Sequence, residues 1–140
     1  MGTRARHEVF VHLVWGTLGR AQVITPATEG ELHRVIGAKC SGLGCAVRAI
    51  GGTADHVHLL VQLQPAVSVA ELVGAAKGSS SHAMNHRLAP GEAFRWQHGY
   101  GAFSVSADDL TAVASYVVDQ SQRHQAHATD PALEPTDDEA

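Results

Sequence analysis

An α+β domain is predicted by three features of the chain. Short segments rich in β-branched and aromatic residues alternate with longer ones whose apolar residues fall at helical spacing. Glycine, proline and serine clusters punctuate them. The resulting order is strand, helix, strand, strand, helix, strand, helix. That is the split βαβ, ferredoxin-like or RRM-like arrangement: an antiparallel sheet with helices on one face and an added C-terminal helix.

The first strand is expected over residues 7–17 (HEVFVHLVWGT). There Val9, Val11, Leu13 and Trp15 alternate with Phe10, His12 and Val14, so both faces are mostly apolar and the strand is central. Thr25 and Pro26 open a helix as N-cap and first residue. Leu32, Val35, Ile36 and Cys40 form its apolar stripe, and Gly42 and Gly44 close it. Residues 45–50 form a second strand that Gly51 and Gly52 are expected to break, and residues 57–63 a third. Ser68 and Glu71 make a capping box for a second helix. Its Gly74, Gly78 and serine run are poor helix formers, and Ala89-Pro90-Gly91 stops it. Residues 102–105 form a last strand, and Ser106 caps a third helix carrying Leu110, Val113, Ala114, Val117 and Val118.

With 140 residues, 44% of them hydrophobic, the chain builds one core. Its net charge of −4 is unevenly spread: residues 1–128 carry +1, and residues 129–140 carry five acids and no base. One domain over 1–128 and a disordered acidic tail over 129–140 are therefore expected. No apolar run approaches the roughly 20 residues a membrane span requires. The basic opening has no hydrophobic segment behind it, and there are only two cysteines. A cytoplasmic protein with reduced thiols and no membrane association is the expectation.

The most informative local sequence is Asp55-His56-Val57-His58. Histidines two apart on a strand project from one face, with Val57 pointing into the core. Two adjacent imidazoles are a start on a divalent metal site, though two surface histidines at a strand start look the same. Cys40 and Cys45 offer a zinc alternative with that pair, or are simply buried thiols. A second constellation is Tyr116 and Gln120, four apart on a helix and so on nearby faces. The glutamine carbonyl can serve a hard cation, and the tyrosine hydroxyl can attack phosphorus. A packed tyrosine beside a solvated glutamine is the plainer alternative. Tyr100, in a glycine pair before the last strand, is a second possible nucleophile without a helical glutamine. Arg20, Lys77, the hydroxyls of Ser79, Ser80 and Ser81, Arg95, Trp96, His98 and Tyr100 suit phosphate contact or base stacking. For Lys77 and the serines a solvated helix face is the alternative, and for Trp96 it is core packing.

Several of these segments together resemble one family: the single-tyrosine HUH transposases of small bacterial insertion sequences. HLVWGTLGRAQVITP is similar to its first strand and following loop, ADHVHLLV to its HUH strand, and LVGAAKGSSSHAMN to the helix after it. FRWQHGYGAFSVS and then YVVDQ resemble the approach to the nucleophile helix. The likeness runs over residues 7–125, and the segment after Gln120 departs from the pattern. It implies that His56, His58 and Gln120 ligate Mg²⁺ or Mn²⁺. It also implies that Tyr116, on the added helix, cleaves single-stranded DNA and holds the 5′ end as a phosphotyrosine until another strand's 3′-hydroxyl rejoins it. It further implies a homodimer with active sites shared between subunits, and hairpin DNA as partner. A catalytically inactive or domesticated nucleic-acid-binding relative, and a metal-dependent hydrolase, are the competing readings.

Overall fold

A computed structural model describes residues 6–120, so the expected acidic tail lies outside the described residues. Four strands, β1 (Val9–Gly16), β2 (Ala46–Gly52), β3 (His56–Leu63) and β4 (Gly101–Val105), form one sheet in the order β2-β3-β1-β4. Every pairing is antiparallel. Three helices, α1 (Pro26–Gly42), α2 (Val69–Ala83) and α3 (Leu110–Val118), complete the fold. This is the predicted split βαβ topology with its extra helix. No helix of the described residues is long and apolar enough to cross a membrane.

The period of two along the strands divides the side chains between two environments. Val11, Leu13 and Trp15 of β1 and Val57, Leu59, Val61 and Leu63 of β3 pack with Leu32, Ile36 and Cys40 of α1 and Leu72, Val73 and Ala76 of α2. The neighbouring strand residues face the other way, where Leu60 and Ala49 meet Val113 and Val117 of α3. The added helix therefore covers the face that α1 and α2 leave open. Seven of the eight β1 residues are buried, as befits a strand covered on both sides.

One local expectation is corrected. Gly51 and Gly52 do not break β2; they are its last two residues, opposite His58 and Val57. A Cβ at Gly51 would lie 2.0 Å from the Val117 carbonyl oxygen, so the glycine admits the close crossing of α3. The α2 helix is followed by one wider π-type turn, Met84–Leu88, before the chain stops short of Pro90 as expected. The Ser68 cap forms, its hydroxyl accepting from the Glu71 amide at 3.0 Å. Cys40 and Cys45 are free, buried thiols on the α1–α2 side, and burial pushes the Cys40 thiol up to about 11. The sheet separates them from the side chains of His56 and His58, which excludes the mixed zinc site.

Candidate active site

Strand β3 begins at His56, and its alternation turns both imidazoles toward the α3 side while Val57 enters the main core. Both rings are buried, with centroids 5.0 Å apart and planes inclined by 62°. The tight turn before the strand supplies a partner for the first of them. His56 Nδ1 lies 2.6 Å from Asp55 Oδ1 and 2.9 Å from Thr53 Oγ1, and the Thr53 hydroxyl donates to the same carboxylate at 3.0 Å. Arg20, whose backbone adopts a left-handed φ of 56°, places its guanidinium 3.8 Å from that carboxylate. The hydrogen bond from His56 holds the Asp55 carboxyl below the usual carboxylate range; Thr53 and Arg20 add to this, and burial opposes it. A carboxylate acceptor favours the proton of His56 on Nδ1, so that Nε2 is the nitrogen that could ligate an ion, the arrangement common around metal-bound histidines.

The second imidazole has a partner that local spacing does not reveal. His58 Nδ1 is 2.8 Å from Nε2 of His12, which is fully buried on β1. In the sequence His12 reads only as one residue on the second face of the first strand. The strand register, pairing His12 with Leu60 and Val14 with His58, brings it to the site.

Tyr116 is buried with its ring against this cluster, its centroid 6.0 Å from His58 and 6.2 Å from His12 in steep, edge-on arrangements. Gln120 lies just past the end of α3 and is fully buried rather than solvated. Its Nε2 donates to the Tyr116 carbonyl at 2.8 Å, while its Oε1 has no hydrogen-bond partner among the described residues. A buried carbonyl oxygen without a donor is costly unless a cation or water meets it. Among the described residues no group of three or more His, Cys, Asp or Glu side chains is arranged to hold a metal ion, so an ion beside these imidazoles needs a different third donor. The Gln120 amide oxygen fits that need. Imidazole nitrogen plus amide oxygen suits a divalent ion of intermediate to hard character.

The other expected site residues divide. The segment before β4 is zipped to the end of β1, with Leu18 N–H donating to the Arg95 carbonyl at 2.9 Å and Gln97 N–H to the Gly16 carbonyl at 2.8 Å. Gly16 pairs with His56, so this seam runs to the imidazole end of the sheet, where Arg20 lies and exposed Arg95 is anchored. Lys77 is engaged within the chain: its ammonium donates to the carbonyls of Gln97 at 2.9 Å and Gly99 at 2.6 Å, and burial lowers its pKa. Ser80 is fully buried, donating to the Ala76 carbonyl at 2.7 Å and accepting from Trp96 Nε1 at 2.9 Å, so it has no surface to offer a phosphate. Lys77 and Ser80 of α2 thus serve strapping and packing, while Gly74 and Gly78 face open space. Trp96, stacked edge-on against Trp15, belongs with the main core as its alternative role foresaw. Tyr100 also packs against the α1–α2 cluster, whereas Tyr116 touches an imidazole.

Comparison with known proteins agrees with this geometry. A family model described as IS200-like transposase matches residues 5–120. Among solved structures, the chain is similar to a crystal structure from Deinococcus radiodurans R1 described as that of a candidate transposase. The two are 25% identical over 86% of this chain and 97% of that one, with a TM-score of 0.66. It shares its fold, at 12% identity and a TM-score of 0.64, with a REP-associated tyrosine transposase solved bound to a REP hairpin; 92% of this chain and 76% of that one are covered. No curated protein matches the chain.

Proposed function

The chain belongs to the IS200-like transposase family, and from that premise we propose that it cuts and rejoins single-stranded DNA through a covalent bond to Tyr116. His56, His58 and Gln120 are the residues that would hold a divalent ion, Mg²⁺ or Mn²⁺. Bound there, the ion would polarise the scissile phosphodiester and favour the phenolate of a tyrosine whose ordinary pKa is about 10. One observation carries the reading: within a single chain, the Tyr116 ring rests against His58 while the Gln120 oxygen one turn on is buried without a donor among the described residues.

The chemistry is a pair of exchanges. The Tyr116 hydroxyl oxygen attacks phosphorus, an O–P bond forms, and the bond from phosphorus to the 3′-oxygen breaks. The phenolic proton is lost to solvent and the departing oxygen gains one as a 3′-hydroxyl. The 5′ side stays on the enzyme. A 3′-hydroxyl from another strand then attacks the phosphotyrosine and restores Tyr116. One phosphodiester replaces another, so no nucleotide cofactor is consumed. Arg20 and Arg95 suit the approaching DNA backbone, and a hairpin DNA is the expected substrate, as in the hairpin complex of the structural neighbour. A homodimer that shares its sites would have to lift α3 from its own β2 and seat it on a partner.

The test is incubation of the protein with single-stranded hairpin DNA and Mn²⁺, followed by denaturing electrophoresis. A covalent protein–DNA adduct is expected. It should disappear in Tyr116→Phe and weaken strongly in His56→Ala and His58→Ala. Cleaved DNA without any adduct would point to water as nucleophile. Binding with neither cleavage nor adduct would point to a non-catalytic relative.

A further inference from the structure

The two imidazoles of β3 are oriented by different means. Asp55 gives His56 a charged acceptor from the adjacent residue. His58 has instead the ring of His12, reaching across from the neighbouring strand at 2.8 Å. We propose that His12 is the positioning residue of the site: it accepts the Nδ1 proton of His58 and thereby keeps His58 Nε2 available to a divalent ion. The inference rests on the metal reading above, and it concerns a residue that neither spacing nor the family resemblance assigned.

A hydrogen bond between two ring nitrogens contains one proton. If His12 Nε2 carried it, His58 Nδ1 would be the acceptor and neutral His58 would bear its proton on Nε2, where it blocks ligation. If His58 Nδ1 carries it, Nε2 keeps its lone pair and His12 is protonated on Nδ1. Only the second arrangement serves the site, so His12 selects the tautomer as well as the ring angle.

The surroundings hold His12 in this role. Its ring lies nearly parallel to His58, with centroids 5.0 Å apart and planes 26° apart. Phe103 of β4, directly opposite His12 in the register, stands 5.9 Å away, and Tyr116 covers it from α3. Both rings are fully buried, so water competes poorly for the bond. His12 therefore touches a metal-ligand candidate on one side and the proposed nucleophile on the other.

Two measurements on the purified protein test this. In metal-free protein, ¹⁵N NMR should show His58 protonated on Nδ1, and in His12→Phe it should show the two tautomers mixed. Mn²⁺ titration, read by electron paramagnetic resonance, should show affinity roughly tenfold to hundredfold weaker in His12→Phe. His12→Gln, whose amide oxygen can accept the same proton, should recover most of the loss. The proposal is overturned if wild-type His58 carries its proton on Nε2, or if folded His12→Phe binds Mn²⁺ within twofold of wild type. A His58→Ala protein that binds Mn²⁺ normally would instead defeat the metal reading, while the tautomer result still decides the hydrogen bond. If His12→Phe fails to fold, the wild-type tautomer and the Gln variant decide it.

Discussion

The two faces of the sheet are built from the same strands on different principles. Toward α1 and α2, β1 and β3 present Val11, Leu13, Trp15, Val57, Leu59, Val61 and Leu63 to a continuous apolar core. Toward α3 the apolar cluster shrinks to Ala49, Leu60, Val113 and Val117, and beside it, with Phe10 and Val14, are buried His12, His56, His58, Tyr116 and Gln120. Buried polar groups cost stability unless they are paired. The pairs Asp55–His56 and His12–His58 offset that cost on one face, while apolar burial on the other supplies the fold. The difference teaches that stability and chemistry are assigned to opposite sides of strands only one residue thick.

This division can be broken from either side. The largest expected effect on stability is on the apolar face: Leu59→Ala, at a fully buried position, should cost about 2–5 kcal/mol in denaturant unfolding. Its folded fraction should still form the DNA adduct. A selective loss of adduct at full folding would show that the faces are not separable. Next comes Gly51→Ala. The new Cβ would meet the Val117 carbonyl at 2.0 Å, so α3 must shift, at about 1–3 kcal/mol. Because a displacement of about 1 Å can cost roughly 100-fold in rate, adduct formation should fall far more than stability does. Wild-type adduct kinetics in this variant would mean that the crossing does not position Tyr116.

The smallest effect is expected at a site remote from both faces. Glu31 of α1 is bonded by Arg34 and by Arg87 of the π-type turn, and these two hold its pKa down at about 2. A carboxyl lowered in the folded state contributes stability above its unfolded value near 4.5, and that contribution is lost as pH falls through about 2. Glu31→Gln should therefore lower stability slightly at neutral pH and converge with wild type at about pH 2. Molar salt should shrink the difference, because the group is at the surface. A gap that persists at pH 2 would locate the effect in packing.

Much of this was legible from residue order. The period of two in β1, the Thr25-Pro26 start of α1 and the Ser68 cap of α2 are local signals, and each is found where spacing places it. His-x-His on a strand guarantees a shared face, so the pairing of His56 with His58 was readable. What was not readable depends on register and helix docking. His12 meets His58 only because β1 and β3 pair as they do. Gly51 looks like a breaker until α3 is seen crossing it. Lys77 and Ser80 look like phosphate ligands because their chemistry suits one; the loop at 96–99 claims them first.

The missing side chain at Gly51 has one more consequence. Where α3 crosses β2, peptide lies on peptide, with no rotamer between them to compress or flip. The interval between phenol and imidazoles is thereby gauged by the thickness of the main chain itself, a dimension nearly the same in every protein, and the site inherits that constancy as its ruler.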